Sequence, residues 1–90
     1  RKIKRSMKHV AVDGFWEAYG KLPIKIRKYV DNNFAIIKQN TTHPLLRLMN
    51  VEDMWSMRVD SRHRALAIQH DDTMIWFWVG TYSKYKQLFL

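Results

Sequence analysis

Residues 55–79, WSMRVDSRHRALAIQHDDTMIWFWV, decide the fold class of this chain. The first six, Trp55–Asp60, alternate apolar and polar side chains, which is the pattern of a half-buried β-strand. Two turn-forming pairs interrupt the segment, Ser61–Arg62 and Asp71–Asp72. They separate two further strand-like stretches, His63–His70 and Thr73–Val79. Three strands joined by tight turns predict an antiparallel meander.

The sequence on either side of the meander extends the sheet. Residues 75–79 are apolar on both faces, so the last strand is expected to be central or covered on both sides. Lys8–Val12 is interpreted as an edge strand, and Leu46–Val51 as one more strand before a turn at Glu52–Asp53. Beyond Gly80, aromatic and aliphatic residues recur at helical spacing, which predicts a short helix or turn over Tyr82–Leu90.

Two helices are predicted before the meander. A stripe of apolar residues at helical spacing defines the first helix, Phe15, Trp16, Tyr19 and Leu22. Asp13 is expected to cap this helix, and Pro23 to end it and open the next. A second stripe follows between residues 24 and 40, Ile26, Val30, Phe34 and Ile37. The two stripes predict a helical hairpin, and all four tryptophans are expected in the core.

These elements predict an α+β fold in which an N-terminal helical hairpin packs on an antiparallel sheet. Ninety residues suit one domain, and residues 7–90 are assigned to it. Residues 1–6 are interpreted as a basic leader that is either non-native or disordered. The longest apolar run falls well short of the roughly 20 residues of a membrane span. The absence of cysteine excludes thiolate chemistry and fits a cytoplasmic protein.

The positive charge is concentrated in the first half of the chain. Residues 1–45 contain ten basic and three acidic residues, a net +7, whereas residues 46–90 contain six and five, a net +1. A positive field favours association with polyanions such as nucleic acids. The same charge also serves solubility, so composition alone leaves both interpretations open.

Cationic and phenolic side chains are expected to meet at one end of the meander. Arg58 lies on the polar face of its strand, and the residues after Gly80 return to the same end of the sheet. The other members of this cluster are Arg62, His63, Arg64, Tyr82, Lys84 and Tyr85. Arginine donates in a planar fork to phosphate oxygens, and tyrosine stacks on bases or donates a proton. The cluster thus suits metal-independent phosphodiester chemistry in which RNA supplies its own 2′-OH nucleophile.

Ordinary structural roles compete with this interpretation. Arg58 could pair with Asp60 or Glu52 on a solvated surface, and Tyr85 could pack a C-terminal helix. The sequence contains no glycine-rich phosphate loop, no nucleophile elbow and no metal-ligand spacing of histidines. Neither a metal nor any other cofactor is therefore expected.

The order and spacing of several segments resemble toxins of the RelE/ParE superfamily, the toxic halves of bacterial type II toxin–antitoxin systems. The likeness extends over nearly the whole chain from Met7. The segments are Phe15-Trp16-x-x-Tyr19-x-x-Leu22-Pro23, Asn33-Phe34, His43-Pro44-x-Leu46, Trp55-Ser56-x-Arg58-Val59, Arg64-Ala65-Leu66, Trp76-Phe77-Trp78-Val79-Gly80-Thr81 and Tyr85.

The resemblance implies a RelE-like fold, a cognate antitoxin protein as partner, and ribosome-dependent, metal-independent cleavage of mRNA. It places Arg58 and Arg64 at cationic positions of the sheet strands, and Tyr85 at the tyrosine of the C-terminal segment. Close relatives usually carry histidine where this chain has Tyr82. Catalysis is assigned to Arg58, Arg64, Tyr82 and Tyr85, and RNA binding to Arg62, His63 and Lys84. Two alternatives remain: a ParE-like poison of DNA gyrase, and an inactive toxin that only binds its antitoxin.

Overall fold

The structure, a computed structural model, describes residues 3–89. Its elements in chain order are β1 (Lys8–Ala11), α1 (Asp13–Gly20), α2 (Ile24–Gln39), a 3-10 turn (Pro44–Leu46), β2 (Met49–Val51), β3 (Met54–Asp60), β4 (His63–His70), β5 (Thr73–Thr81) and α3 (Tyr82–Gln87). The α+β class, the helical hairpin and the C-terminal helix are thereby confirmed. The first two residues of the expected leader and Leu90 lie outside the described residues. Within residues 3–89, no helix is long and apolar enough to cross a membrane.

The five strands of the described chain form one sheet in the order β1-β5-β4-β3-β2. The pairs β2–β3, β3–β4 and β4–β5 are antiparallel, which confirms the meander. The edge strand β1 instead runs parallel to β5, with Lys8 opposite Thr73 and Ala11 opposite Trp76. As expected from its apolar sequence, β5 lies inside the sheet with a neighbour on each side.

The strand expected over Leu46–Val51 is shorter than its sequence indicates. Only Met49–Val51 pairs with β3, because the preceding residues turn the chain sharply. The His43 side chain accepts a hydrogen bond from the Leu45 amide at 3.2 Å, and Arg47 adopts the left-handed region at φ 44° and ψ 46°. A residue in that region ends an extended strand.

The helical hairpin packs one face of the sheet. Phe15 of α1 meets Phe34 of α2 edge to face, with ring centroids 5.4 Å apart, and Phe34 meets Trp76 of β5 at 5.3 Å. The apolar cluster beneath the helices also contains the strand residues Met57 and Ala65, both fully buried.

Two expectations about α1 are wrong. Asp13 does not cap the helix: Val12 occupies the N-cap position without a side-chain hydrogen bond, and Asp13 lies in the first turn. Its carboxylate there still favours the positive end of the helix dipole. Trp16 is not in the core, because 53% of its surface is exposed. The aromatic stripe of α1 is wider than the sheet can cover.

Two irregularities in strand register interrupt the regular alternation of side chains between the two faces of the sheet. Arg58 pairs with Arg64, but Asp60 pairs with His63. Between these two pairs β3 advances by two residues while β4 advances by one, which is a β-bulge in β3. A second shift separates Leu66, opposite Trp78, from Ala67, opposite Trp76. Such bulges locally rotate the strand, and they determine which side chains reach the face that lies away from the helices.

Candidate functional site

Arg58 and Arg64 are direct cross-strand neighbours on β3 and β4. Side chains directly opposite in an antiparallel pair lie on the same face of the sheet. Each arginine alternates along its strand with a core residue, Met57 or Ala65, that faces the helical hairpin. The two guanidinium groups therefore project from the opposite face, and this adjacency was predicted from the meander.

A cleft of about 420 Å³ surrounds these two side chains, and we call it the arginine cleft. Its lining consists of Arg47, Met49, Ser56, Arg58, Ser61 and Arg64. Three guanidinium groups thus converge on one depression, and the described part of the chain contributes no carboxylate and no imidazole to its lining. Such a lining is complementary to the oxygens of a phosphodiester.

Arg47 was missed by sequence reasoning. It lies before β2, which pairs with the strand that carries Arg58, and its side chain is exposed. Neither periodicity nor a motif marks it, because its position depends on the left-handed backbone that follows the 3-10 turn. The feature that distinguishes Arg47 is its positive φ, which is unusual for a residue other than glycine. The sequence does not reveal that angle.

The Arg64 side chain is held in place on two sides. Its Nη1 group donates to the backbone carbonyl oxygens of Asp60, at 2.6 Å, and His63, at 2.9 Å. The Cζ atom also lies 4.8 Å from the centroid of the Tyr82 ring, in cation–π geometry. These contacts fix a side chain that would otherwise sample many rotamers.

The two tyrosines of α3 stack on each other. Their ring centroids are 5.7 Å apart with an interplanar angle of 22°, and Phe89 meets the Tyr85 ring at 5.2 Å. Tyr82 is 40% exposed, whereas Tyr85 is only 7% exposed. Tyr82 therefore lies next to Arg64 at the edge of the arginine cleft, and Tyr85 forms the packed support beneath it.

The three residues assigned to RNA binding do not line the arginine cleft. His63 lies on the other face because it directly precedes Arg64 along β4. The bulge in β3 places Asp60 opposite it, with Asp60 Oδ1 2.9 Å from His63 Nδ1. Arg62 is exposed in the turn between β3 and β4. Lys84 is exposed on α3 and lines a separate depression that Lys21 also lines.

Asp60 organises the turn between β3 and β4. Its carboxylate accepts hydrogen bonds from the Arg62 amide, at 2.8 Å, and from His63. Burial alone would raise the pKa of Asp60, but these hydrogen bonds and the nearby imidazole outweigh burial and lower it. Because the carboxylate is engaged here, it does not neutralise the arginines of the cleft.

A second depression lies between the helical hairpin and β1. This hairpin groove has a volume of about 410 Å³, and its lining includes His9, Phe15, Trp16, Phe34 and Lys38. The exposed Trp16 stands at its edge, and within residues 3–89 no strand pairs with the outer side of β1. Exposed aromatic surface next to an open sheet edge is typical of a protein-binding site.

Within residues 3–89, no group of three or more histidine, aspartate or glutamate side chains is arranged to hold a metal ion. The chemistry that the arginine cleft offers is that of fixed positive charge: it can bind a phosphate and stabilise negative charge that develops on it.

Comparison with solved structures identifies the fold. The toxin–antitoxin complex RelB–RelE from Methanococcus jannaschii matches with a TM-score of 0.70 and 15% identity over 90% of this chain and 99% of that one. YafQ from Escherichia coli matches with a TM-score of 0.68 and 11% identity over 89% and 98%. The RelBE2 toxin–antitoxin complex from Mycobacterium tuberculosis matches with a TM-score of 0.66 and 17% identity over 91% and 99%.

No protein-family model matches the sequence, and no curated protein matches it significantly. The structural matches nevertheless span nearly the whole of each chain, so the protein has the RelE-like fold. This confirms the fold that the resemblance of the sequence implied.

Proposed function

We propose that the protein is the toxin of a type II toxin–antitoxin system and that it cleaves mRNA on the ribosome in the cytoplasm. The observation that carries this proposal is the pairing of Arg58 with Arg64 in a cleft that Arg47 also lines. The structural neighbours support the toxin role, since they include toxins in complex with antitoxins.

The reaction would use the chemistry of RNA itself. The 2′-hydroxyl group adjacent to the scissile bond gives its proton to solvent, and its oxygen attacks the phosphorus. The new 2′-O–P bond leaves a cyclic 2′,3′-phosphate as the bond to the 5′-oxygen of the next nucleotide breaks, and that oxygen takes up a proton from solvent. The phosphorane-like transition state carries more charge on its non-bridging oxygens than the ground state does. Arg58 and Arg64 would stabilise that charge, and their fixed positions avoid reorganisation during the reaction.

Arg47 would act with them by holding the RNA backbone. It approaches the cleft from the β2 side, whereas Arg64 is anchored on β4. A strand of RNA in the cleft would then contact guanidinium groups from three segments of the chain. Because such contacts displace counterions, RNA binding should weaken as the salt concentration rises.

One observation favours a second candidate function. Among the described residues, neither an imidazole nor a carboxylate lines the arginine cleft, and Tyr85 is packed against Tyr82 and Phe89. A site poor in proton-transfer groups suits a protein that binds its target without chemistry. The second candidate is therefore a ParE-like poison of DNA gyrase.

An assay on translating ribosomes separates the two candidates. We expect the wild-type protein to cut mRNA and Arg64→Ala to lose most of that activity. Lys28→Ala, which removes an exposed charge on α2 outside the cleft, is the matched control and should cut like wild type. Intact message together with inhibited supercoiling by gyrase would replace the nuclease proposal with the second candidate.

We also propose that an antitoxin covers the hairpin groove. The chain has a net charge of +8, so a second copy would be repelled, whereas an acidic segment with apolar anchors would be attracted. The antitoxins present in two of the structural neighbours support a partner of this kind.

Co-purification with the product of a neighbouring short reading frame tests this surface. Trp16→Ser should weaken the complex strongly, because it removes the exposed indole at the groove. Ile24→Ser provides the control, since Ile24 is 69% exposed but does not line the groove. Equal retention of the partner by both variants would place the antitoxin elsewhere.

A further inference from the structure

We propose that Tyr82 is a positioning residue whose aromatic ring holds the Arg64 guanidinium in the arginine cleft, and that its hydroxyl group donates no proton in the reaction. This inference deepens the proposed function and rests on it. It changes the role assigned to Tyr82 from the sequence, where a position usually held by histidine suggested proton transfer.

The ring of Tyr82 lies among cations and another ring. Arg64 Cζ is 4.8 Å and Lys86 Nζ is 5.2 Å from its centroid, and the Tyr85 ring stacks at 5.7 Å. The Tyr82 amide also donates to the Arg62 carbonyl oxygen at 2.6 Å. The backbone and the ring of Tyr82 are thus both tied to the strand end that presents Arg64.

The contacts of Arg64 divide its guanidinium into a held part and an available part. Nη1 is engaged by the carbonyl oxygens of Asp60 and His63. Among residues 3–89, no acceptor lies within hydrogen-bond distance and geometry of Nε or Nη2, and these two donors form one edge of the guanidinium fork. That edge matches two oxygens of a phosphate, provided that the plane of the group is held.

Tyr82 supplies this constraint, because an aromatic face attracts a guanidinium and orients its plane. The support extends below Tyr82 to Tyr85, which is 7% exposed and itself packed against Phe89. The rings of Phe89, Tyr85 and Tyr82 thus pack in series, and the last of them contacts the Arg64 guanidinium in the cleft. The ring carries this role, and the hydroxyl group is not needed for it.

Two substitutions separate the ring from the hydroxyl group. Tyr82→Phe keeps the ring, so we expect cleavage of mRNA on ribosomes to stay within about twofold of wild type, with an unchanged pH profile. Tyr82→Leu removes the ring, and we expect a loss of about tenfold, in line with the upper range of cation–π interactions. Tyr29→Leu is the matched control, because Tyr29 is 39% exposed and lies on α2. Loss of activity in Tyr82→Phe equal to that in Tyr82→Leu would overturn the proposal.

A measurement that is independent of catalysis completes the test. In an NMR spectrum, the Arg64 Nε–H resonance should be shifted by the ring current of Tyr82, should stay there in Tyr82→Phe, and should move in Tyr82→Leu. An unmoved resonance in Tyr82→Leu would also overturn the proposal. If the resonance moves as expected but the wild type leaves mRNA intact, the nuclease activity fails. The affinity for a single-stranded RNA oligonucleotide then decides: equal binding by the Phe and Leu variants counts against positioning, and weaker binding by Leu supports it.

Discussion

His9 offers the sharpest test of how the fold is held together. Its ring links β1 to β5 and to the turn that follows α2. Nδ1 accepts a hydrogen bond from Trp76 Nε1 at 3.0 Å, and Nε2 lies 3.0 Å from Thr41 Oγ1. Thr41 Oγ1 in turn donates to the Ile37 carbonyl oxygen at 3.2 Å. Trp76 and Thr41 are both fully buried. The neutral imidazole, with its proton on Nε2, satisfies every member of this chain of hydrogen bonds.

Replacing His9 by alanine leaves the buried indole N–H of Trp76 without its acceptor. An unsatisfied buried donor costs about 1–3 kcal/mol. For a domain of this size, each kcal/mol lowers the Tm by about 4–8 °C. We therefore expect His9→Ala to melt roughly 5–20 °C below wild type near neutral pH.

The cost of the substitution should depend on pH, with a definite sign. Burial, and secondarily the charge of Lys38, lower the pKa of His9 in the folded protein below its ordinary value of 6.5. The unfolded chain thus takes up a proton on His9 at a higher pH than the folded protein does. The stability that neutral His9 provides is complete above about pH 6.5 and declines as the pH falls toward the folded pKa. The difference between wild type and His9→Ala should shrink over that window.

Thermal and urea unfolding at several pH values between about 7.5 and 5 measure this difference, since that range brackets the ordinary pKa of histidine. His70→Ala is the control, because the His70 side chain is 80% exposed at the end of β4 and should barely change stability. A gap between wild type and His9→Ala that stays constant or widens as the pH falls would refute the reasoning.

Three further predictions concern the site and its supports. Asp60→Ala should lower the free energy of unfolding by about 1–2 kcal/mol at neutral pH; because the pKa of Asp60 is lowered on folding, this loss should fade in acid as the wild-type carboxylate becomes protonated. Gly80→Ala should cost about 1–3 kcal/mol in denaturant titrations, since the added Cβ would lie 2.5 Å from Trp78 Cζ2, and an unchanged midpoint would contradict that clash. Arg47→Gly should raise stability by up to about 1 kcal/mol by relieving its left-handed backbone, while RNA binding weakens and its salt dependence becomes less steep.

Much of the fold follows from sequence periodicity. We predicted the strands of the meander, their turns and the helical hairpin because each produces a pattern in consecutive residues. Strands show alternation of apolar and polar residues, and helices show apolar residues at helical spacing. The parallel pairing of β1 with β5 was not predicted, because nothing near Lys8 or Thr73 specifies which distant strand it joins. The exposure of Trp16 was missed for a related reason. The apolar stripe of α1 does not reveal how much of it the sheet covers.

The candidate site was predictable only in part. Register in a meander brings Arg58 and Arg64 together, and that inference needed only strand order. His63 was grouped with these arginines, but adjacent residues of a strand face opposite sides, so His63 lies on the face opposite to Arg64. What the sequence does not reveal is the bulge in β3 that places Asp60 across from His63. Tyr85 was assigned to catalysis, and that assignment stays a prediction. Its burial, with 7% of its surface exposed, depends on how α3 packs, which the sequence of this six-residue helix does not specify.

The pairing of β1 with β5 has a consequence for how this protein forms during synthesis. The hydrogen bond between His9 and Trp76 joins residues 67 positions apart. The strand β1 therefore cannot pair until β5 has been synthesised. Contacts that close such long loops form slowly. While the chain is still emerging, its first strand has no partner and the apolar underside of the hairpin stays uncovered. A protein that binds this partly folded chain would do so before Arg58 and Arg64 are paired in the arginine cleft.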